Sequence, residues 1–337
     1  MTEPANPVAD RSKPAILYVD ADGKLRRDLT IAELASVIRG GPGGLWVDMH
    51  VTSRQCVAML DNVFAFHPLA IEDALNPMSR VKVDEYAGFL FAIVRGVRFI
   101  AETEDPYDLE TYNLSFFLGP NYVVTMHGDD SSSTDAVLDR VVRHPDLLQR
   151  GAERVMHAVM DAAIDAYFPL LDQIDDFIHK VEERVFDNFD QAALQDIFQV
   201  KRLVLTLRRH LSPQREVFNV LSNRPTALLA PDSQVYFRDI YDHNLRINES
   251  LETFRDLLGS TLDSYLTQVS NRLGKITKGL SVIATVSIPF VVVSGMWGMN
   301  FAHIPLYDDP RGFWYMLALQ LGLSAVLLVA LRMRRLI

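Results

Sequence analysis

Between Lys278 and Asp308 the chain carries no Asp, Glu, Lys or Arg. The stretch from Gly279 to Asn300, GLSVIATVSIPFVVVSGMWGMN, can therefore cross a bilayer, which needs about 20 mainly apolar residues. A turn holding Asp308, Asp309 and Arg311 follows, then a second uncharged stretch from Gly312 to Leu331 that stops at Arg332, Arg334 and Arg335. Two spans near the C-terminus make a hairpin. Lys275 and Lys278 precede the first span and the arginines follow the second, whereas the turn is net acidic, so the positive-inside tendency places both chain ends in the cytoplasm.

The rest of the 337 residues leaves roughly 270 for structure outside the membrane, enough for more than one core at 49% hydrophobic content. A formal net charge of −10, basic C-terminal end included, disfavours nucleic acid as a partner and favours cations. The single cysteine, Cys56, excludes an intramolecular disulfide and fits a reducing compartment. The N-terminal MTEPANPVADRSKP has no apolar core of a signal peptide, so insertion is expected to rely on the C-terminal spans.

Residues 1–14 are expected as a disordered tail. Over 15–150, short β-type runs with turn punctuation and interspersed helices predict a cytoplasmic α/β domain: strands over 15–19, 45–47, 81–83, 89–98, 112–118 and 122–127, and helices near 31–38, 54–64, 68–75 and 136–142. Asp20-Ala21-Asp22-Gly23 lacks the third acid and closing Glu of a calcium loop and reads as a tight turn. The glycines at 40, 41, 43 and 44 precede a strand and lack a Lys-Ser/Thr pair, which excludes a phosphate loop.

From 151 the period becomes helical, predicting a cytoplasmic helical funnel and stalk over 151–278 with runs at 152–186, 191–221 and 233–297. Pro213 is expected to kink the second run. On the third, Leu251, Phe254, Leu258, Leu262, Tyr265, Val269, Leu273, Ile276 and Leu280 recur at 3,4,4 spacing, a stripe that predicts a nearly straight or slightly right-handed bundle. Unbroken, that run would be on the order of 100 Å long. Such a rod entering a membrane is most simply a pore helix repeated by symmetry. The remaining divisions are a pore-lining span at 279–301, a loop at 302–311 on the far side, a second span at 312–331 and a basic cytoplasmic tail at 332–337.

Within the first span Thr277, Leu280, Ala284, Ile288, Val291 and Gly295 share one uncharged face, which by itself suits close helix packing. The span ends in Trp297-Gly298-Met299-Asn300-Phe301. Gly298-Met299-Asn300 after a proline-containing span, followed by a short loop, a second span and a basic end, resembles the CorA-type magnesium transporter family. The resemblance extends to Tyr236-Phe237-Arg238-Asp239, Glu252-Thr253-Phe254-Arg255-Asp256, Val269-Ser270-Asn271 and His67-Pro68-Leu69 with Glu72-Asp73.

That resemblance implies a homopentamer in the bacterial inner membrane whose first spans line a central pore. Mg2+ is then both substrate and regulatory ligand, with Co2+ and Ni2+ as further ions and no organic cofactor. It implies a filter at Gly298, Met299 and Asn300, where neutral side-chain carbonyls face an ion reluctant to shed its water. Gly298 is expected to allow the turn that ends the helix. Gly274, Thr277, Leu280, Ala284, Ile288, Val291 and Gly295 would line the pore, with Leu280 and Ile288 as an apolar constriction. Asp73 and Asp239 would form an intersubunit regulatory metal site, and Glu72 with Asp161 a second. By composition alone these are surface acids; motif position assigns them.

Three positions depart from the family pattern. Gly274 stands where an Asn is common, Val291 where a Thr is common and Ile288 where a Met is common, so the pore is more apolar than usual. The nearest rival is zinc transport by the ZntB-like branch, which often has Val at the position of Met299; a non-conducting anchored scaffold or sensor is a further alternative. The nine histidines form no zinc-type cluster in sequence, and no hydrolase, metalloprotease or Rossmann motif points to an enzyme.

Overall fold

Leu45, Val47 and Met49 alternate with Trp46 and Asp48, so a strand there has one apolar face and one mixed face. The computed structural model, which describes residues 13–27, 29–99, 109–128, 131–187, 191–300, 303–306 and 308–334, uses both faces. The expected tail lies outside the described residues except for Lys13 and Pro14, as do Phe301, Ala302, Tyr307 and the basic end from Arg335.

The strands are β1 (Ala15–Val19), β2 (Leu25–Arg26), β3 (Gly44–His50), β4 (Lys82–Tyr86), β5 (Phe89–Phe99), β6 (Leu109–Leu118) and β7 (Tyr122–His127). They form one sheet in the order β2-β1-β3-β7-β6-β5-β4, antiparallel except where β3 runs parallel to β7. Helices α1 (Ile31–Ile38), α2 (Arg54–Asn62) and α3 (Pro68–Leu75) cover one face. Their Leu34, Val37, Met59, Leu60 and Ala70 share a core with Val47, Met49, Phe91, Phe117 and Val124. After α4 (Ser132–Arg143) and α5 (Asp146–Gln149), α6 (Ala152–Asp165) packs across β3, β5, β6 and β7 on the other face. A Cβ on Gly44 would sit 2.4 Å from the Leu148 carbonyl, so only glycine lets α5 lie so close to β3.

A buried polar chain joins the parallel pair. Trp46 Nε1 donates to Thr125 Oγ1 at 3.0 Å, Thr125 Oγ1 donates to Asp48 Oδ1, and His127 Nε2 lies 3.2 Å from Asp48 Oδ2. Trp46 and Thr125 are wholly buried, so each bond answers a polar atom that water cannot reach.

The expected helix over 152–186 is broken between α6 and α7 (Phe168–Asp187). Pro169 has no N–H for the Asp165 carbonyl and fits only the first turn of a new helix. Fully buried Tyr167 sits at the break and its hydroxyl donates to the Arg95 carbonyl at 3.0 Å. Pro213 does more than kink its run: α8 (Gln191–Leu211) ends before it and α9 (Gln214–Asn223) begins after it.

The third run is one 67-residue helix, α10 (Pro231–Trp297), and passes through Pro289 unbroken. Its buried residues correct the expected 3,4,4 stripe. Phe237, Ile240, Asn244, Ile247, Leu251, Phe254, Leu258, Thr261 and Tyr265 are buried at alternating spacings of 3 and 4, with Thr261 in the seam instead of Leu262. That repeat averages 3.5 residues, the period of left-handed packing. The 3,4,4 count had joined two faces, a covered one that ends at Tyr265 and an uncovered one that starts near Leu266. Every residue from Ser270 to Ser281 is exposed. α11 (Gly312–Met333) completes the chain.

Two compact units emerge, one of Met1–Val181 with Gln195–Gly259 and one of Glu182–Leu194 with Ser260–Ile337. The sequence division at 151 marks the change from strands to helices, whereas α6 belongs to the unit that holds the sheet.

Replacing Thr125 by Val strands the Trp46 N–H and one Asp48 oxygen in the interior. The variant is expected to lose about 1–3 kcal/mol, read as a lower urea midpoint for the full-length protein in detergent.

Candidate functional site

Two helices, α10 and α11, are long and apolar enough to cross a membrane, and only 11% of each apolar window is buried. Two polar side chains fix how they face one another. Gln320 Nε2 donates to Ser294 Oγ at 3.0 Å, and Ser324 Oγ donates to the Val286 carbonyl at 3.2 Å. Gln320 and Ser324 are buried by this pairing, as are Pro289 and Val293 opposite. In hydrocarbon a polar side chain gains by finding such a partner, so these contacts set the rotation of α10 about its axis. Ser287 Oγ also donates to the Ile283 carbonyl at 2.8 Å, close to the turn that Pro289 deprives of a donor.

Residues Gly274, Thr277, Leu280, Ala284, Ile288, Val291 and Gly295 lie on the other side of α10, and all are exposed. No atom stands within 4 Å of a Cβ added at Gly274 or Gly295, so neither glycine answers a contact within the chain.

The helix ends at Trp297. Gly298 donates its N–H to the Ser294 carbonyl at 2.9 Å, and Gly298, Met299 and Asn300 are exposed. Gly298 has no positive φ, and a Cβ there would press to 3.2 Å from the Ser294 carbonyl, so what glycine permits where the helix ends is this close approach. Across the loop Leu306 takes φ 63°, and its carbonyl would lie 2.2 Å from a Cβ on Gly312. Asp309 Oδ1 accepts from the Arg311 N–H at 2.7 Å, and Phe313, Trp314 and Tyr315 open α11 as an exposed aromatic group suited to a membrane interface.

The acids lie in the other unit. His67 caps α3, its Nδ1 accepting from the Leu69 N–H at 3.2 Å while its ring stacks 5.2 Å from Tyr86. Pro68 takes the first helical turn as expected. This anchoring carries Asp73 to Lys82 Nζ at 2.7 Å and to the Ser79 hydroxyl, which donates to it at 3.3 Å. Burial alone would lower the Lys82 ammonium, but hydrogen bonds to Asp73 and Asp84 hold it above its ordinary value. Glu72 is exposed on the same helix.

Within one chain Asp161 shares a cluster with Asp165 and His243, their ligand atoms within 4.8 Å of one another. His243 Nδ1 is 3.2 Å from Asp165 Oδ1, and its Nε2 is 3.9 Å from Asp239 Oδ1. Burial, then Asp165, push the Asp161 carboxyl above its usual range, with Asp239 adding to the effect. The cluster is thus a set of carboxylates short of positive charge, with oxygen donors suited to a hard divalent cation. One turn before Asp161, burial holds His157 down to about 4, so it is neutral at pH 7. Asp165 and His243 went unassigned in the sequence, although Asp161 and Asp165, like Asp239 and His243, are four apart on a helical face.

Residues 42–335 match the model of the family described as CorA-like Mg2+ transporter protein. A cobalt/magnesium transport protein, CorA of Thermotoga maritima, is 31% identical over 307 residues, covering 90% of this chain and 86% of the relative. The solved CorA magnesium transporter of Methanocaldococcus jannaschii superposes with a TM-score of 0.80 at 18% identity, over 95% of this chain and 97% of that one. The ZntB cytoplasmic domain of Vibrio parahaemolyticus superposes with a TM-score of 0.58 at 13% identity, over 68% of this chain and 88% of that one.

Because its folded-state pKa is raised, the Asp161 carboxylate costs stability above that pKa and nothing below its ordinary value of 3.8. Asp161→Asn is therefore expected to unfold at a higher temperature than the parent at pH 7 in chelator, with the gap closing as the pH falls through the raised pKa. Added Mg2+ should stabilise the parent more than the variant.

Proposed function

The chain belongs to the CorA-like Mg2+ transporter protein family, and from that premise we propose that it is a homopentameric, passive, Mg2+-gated channel for Mg2+, and also for Co2+ and Ni2+. We place it in the bacterial inner membrane with both termini cytoplasmic. The family is one of transporters, not enzymes.

The observation that carries this reading is the division of α10 into two faces. Gln320 and Ser324 claim one side of the span, which leaves the uncharged side from Gly274 to Gly295 for other copies and for the ion path. Leu273, Ile276 and Leu280, 59–66% exposed, need cover that one chain does not give them. At the end of that face a ring of Asn300 amides would offer neutral oxygens to a hydrated ion, with Leu280 and Ile288 below it as a constriction that dewets. Two charges entering down a negative-inside potential gain roughly 4.6 kcal/mol per 100 mV, so influx needs no nucleotide hydrolysis.

Gating would use Asp73 of one copy facing Asp239 of the next, with Glu72 and Asp161 as a second site. Carboxylates brought together across an interface repel unless a cation lies between them. Mg2+ would hold the closed pentamer, and its loss would let the subunits part. Zinc is the second reading, supported by the shared cytoplasmic fold of ZntB; Met299, where that branch often has Val, supports magnesium.

In liposomes with an imposed negative-inside potential, Mg2+ influx is expected to exceed Zn2+ influx and to fall at least tenfold in Asn300→Ala. Unchanged flux in that variant would remove Asn300 from the filter, influx no faster than in protein-free liposomes would leave only a membrane-anchored scaffold, and preferred Zn2+ flux would reassign the ion. Removing the Lys82 charge with Lys82→Met frees Asp73 for metal, so the Mg2+ concentration that protects the protein from proteolysis is expected to drop.

A further inference from the structure

Among the described residues, the arginines at positions 26, 98, 143, 150, 208 and 255 each pair with an acid at the surface. Arg95, in the middle of β5, is only 9% exposed, and among the described residues no carboxylate pairs with it. The groups that hold it are neutral. Its N–H donates to Gln214 Oε1 at 2.8 Å, its carbonyl accepts from Tyr167 Oη, and Nη2 donates to the Ser79 carbonyl at 3.3 Å. A guanidinium carries five N–H donors and stays charged, so one 3.3 Å side-chain bond leaves most of its capacity unused.

Arg95 opens on a cavity of about 730 Å³ whose lining also includes Arg80, Arg209 and His210, with Met78 and Val81 on the apolar wall and no acid among its described residues. Arg80 comes from the turn before β4, and Arg209 and His210 from the last turn of α8, so three separate elements aim positive charge at one space. Arg80 and Arg209 are exposed and form the rim, whereas Arg95 is the floor. The field is legible in His210: burial first, then Arg95 and Arg209, hold its pKa below the usual value.

We propose that this cavity is a binding site for a phosphate-type oxyanion, either free phosphate or the phosphate end of a nucleotide, with Arg95 as the fixed ligand and Arg80 and Arg209 closing over it. Planar guanidinium forks match phosphate oxygens two at a time, and three of them suit a multiply charged anion better than a single carboxylate. The volume falls within the roughly 300–1,000 Å³ of small-molecule pockets, so a phosphate carried on a larger molecule also fits by size. Such a site is separate from any role of the acids in holding cations.

The test is calorimetric titration of the purified full-length protein in detergent with inorganic phosphate and, separately, with Mg2+-free ATP, at low chloride. Saturable binding is expected, at least tenfold weaker in the double variant Arg80→Gln/Arg209→Gln. These are exposed positions, so an unchanged thermal midpoint and elution volume will verify that the variant is folded. Equal affinities for the two probes assign free phosphate, and ATP binding tenfold tighter assigns a nucleotide. No saturable binding of either at millimolar concentration, or equal binding by parent and double variant, overturns the proposal. The charge would then be answered by protein, for example a carboxylate of a second copy.

Discussion

A helix in hydrocarbon satisfies its own backbone, but apolar side chains there cannot choose a neighbour, because lipid is as apolar as leucine. The rotation of α10 therefore rests on the few polar atoms that have somewhere better to go. Gln320 reaching Ser294 and Ser324 reaching the Val286 carbonyl are those atoms. They turn Pro289 and Val293 toward α11 and, by helical geometry alone, turn Ile288, Val291 and Gly295 away from it. Which residues a permeating ion would meet is thus decided on the opposite side of the helix from the ion.

The same helix changes its source of stability along its length. Up to Tyr265 it buries a seam at 3.5-residue spacing, and each large apolar side chain there contributes on the order of 1.5–3 kcal/mol by burial. Beyond that, three turns from Ser270 to Ser281 are exposed all round, although Leu273, Ile276 and Leu280 are as apolar as the seam. A bare helix of that length in water is marginal on propensity alone, the more so with Gly274 and Gly279 in it. Association with further copies would supply the missing burial. In the proposed pentamer this would couple assembly to conduction, since loosening the contacts between copies would also uncover the helix that would line the path.

Most of the architecture was legible in the sequence because it rests on local signals. Strand alternation at Leu45–Met49, Pro68 at a helix start and the charge-free interval after Lys278 each point to one structure within a dozen residues. What escaped was set by distance. The break at Tyr167 had a local sign in Pro169, yet the force that stabilises it is a hydroxyl bond to the Arg95 carbonyl 72 residues away. The helical stripe was misread because two faces of one helix both carry apolar residues, and spacing does not say which of them the chain itself covers. Asp73 and Asp239 stood out through their motifs, whereas Asp165 and His243 form a cluster only because α6 lies beside α10.

The charges in the sheet-bearing unit divide along the same line. Where acids gather, at Asp161, Asp165 and Asp239, burial first and then the neighbouring carboxylates raise the Asp161 pKa, a strain that a divalent ion would relieve. Asp73 instead has Lys82 as an internal substitute for a cation, so a metal must compete with an ammonium already 2.7 Å away. Such competition would weaken binding without removing it, which would suit the proposed regulatory site, since that site would have to empty as the internal metal concentration falls. A carboxylate with no internal partner would hold its ion too long to report a change, whereas one locked into a fully buried pair would never take the ion up. The 35% exposure of Asp73 and 30% of Lys82 leave the pair between those limits.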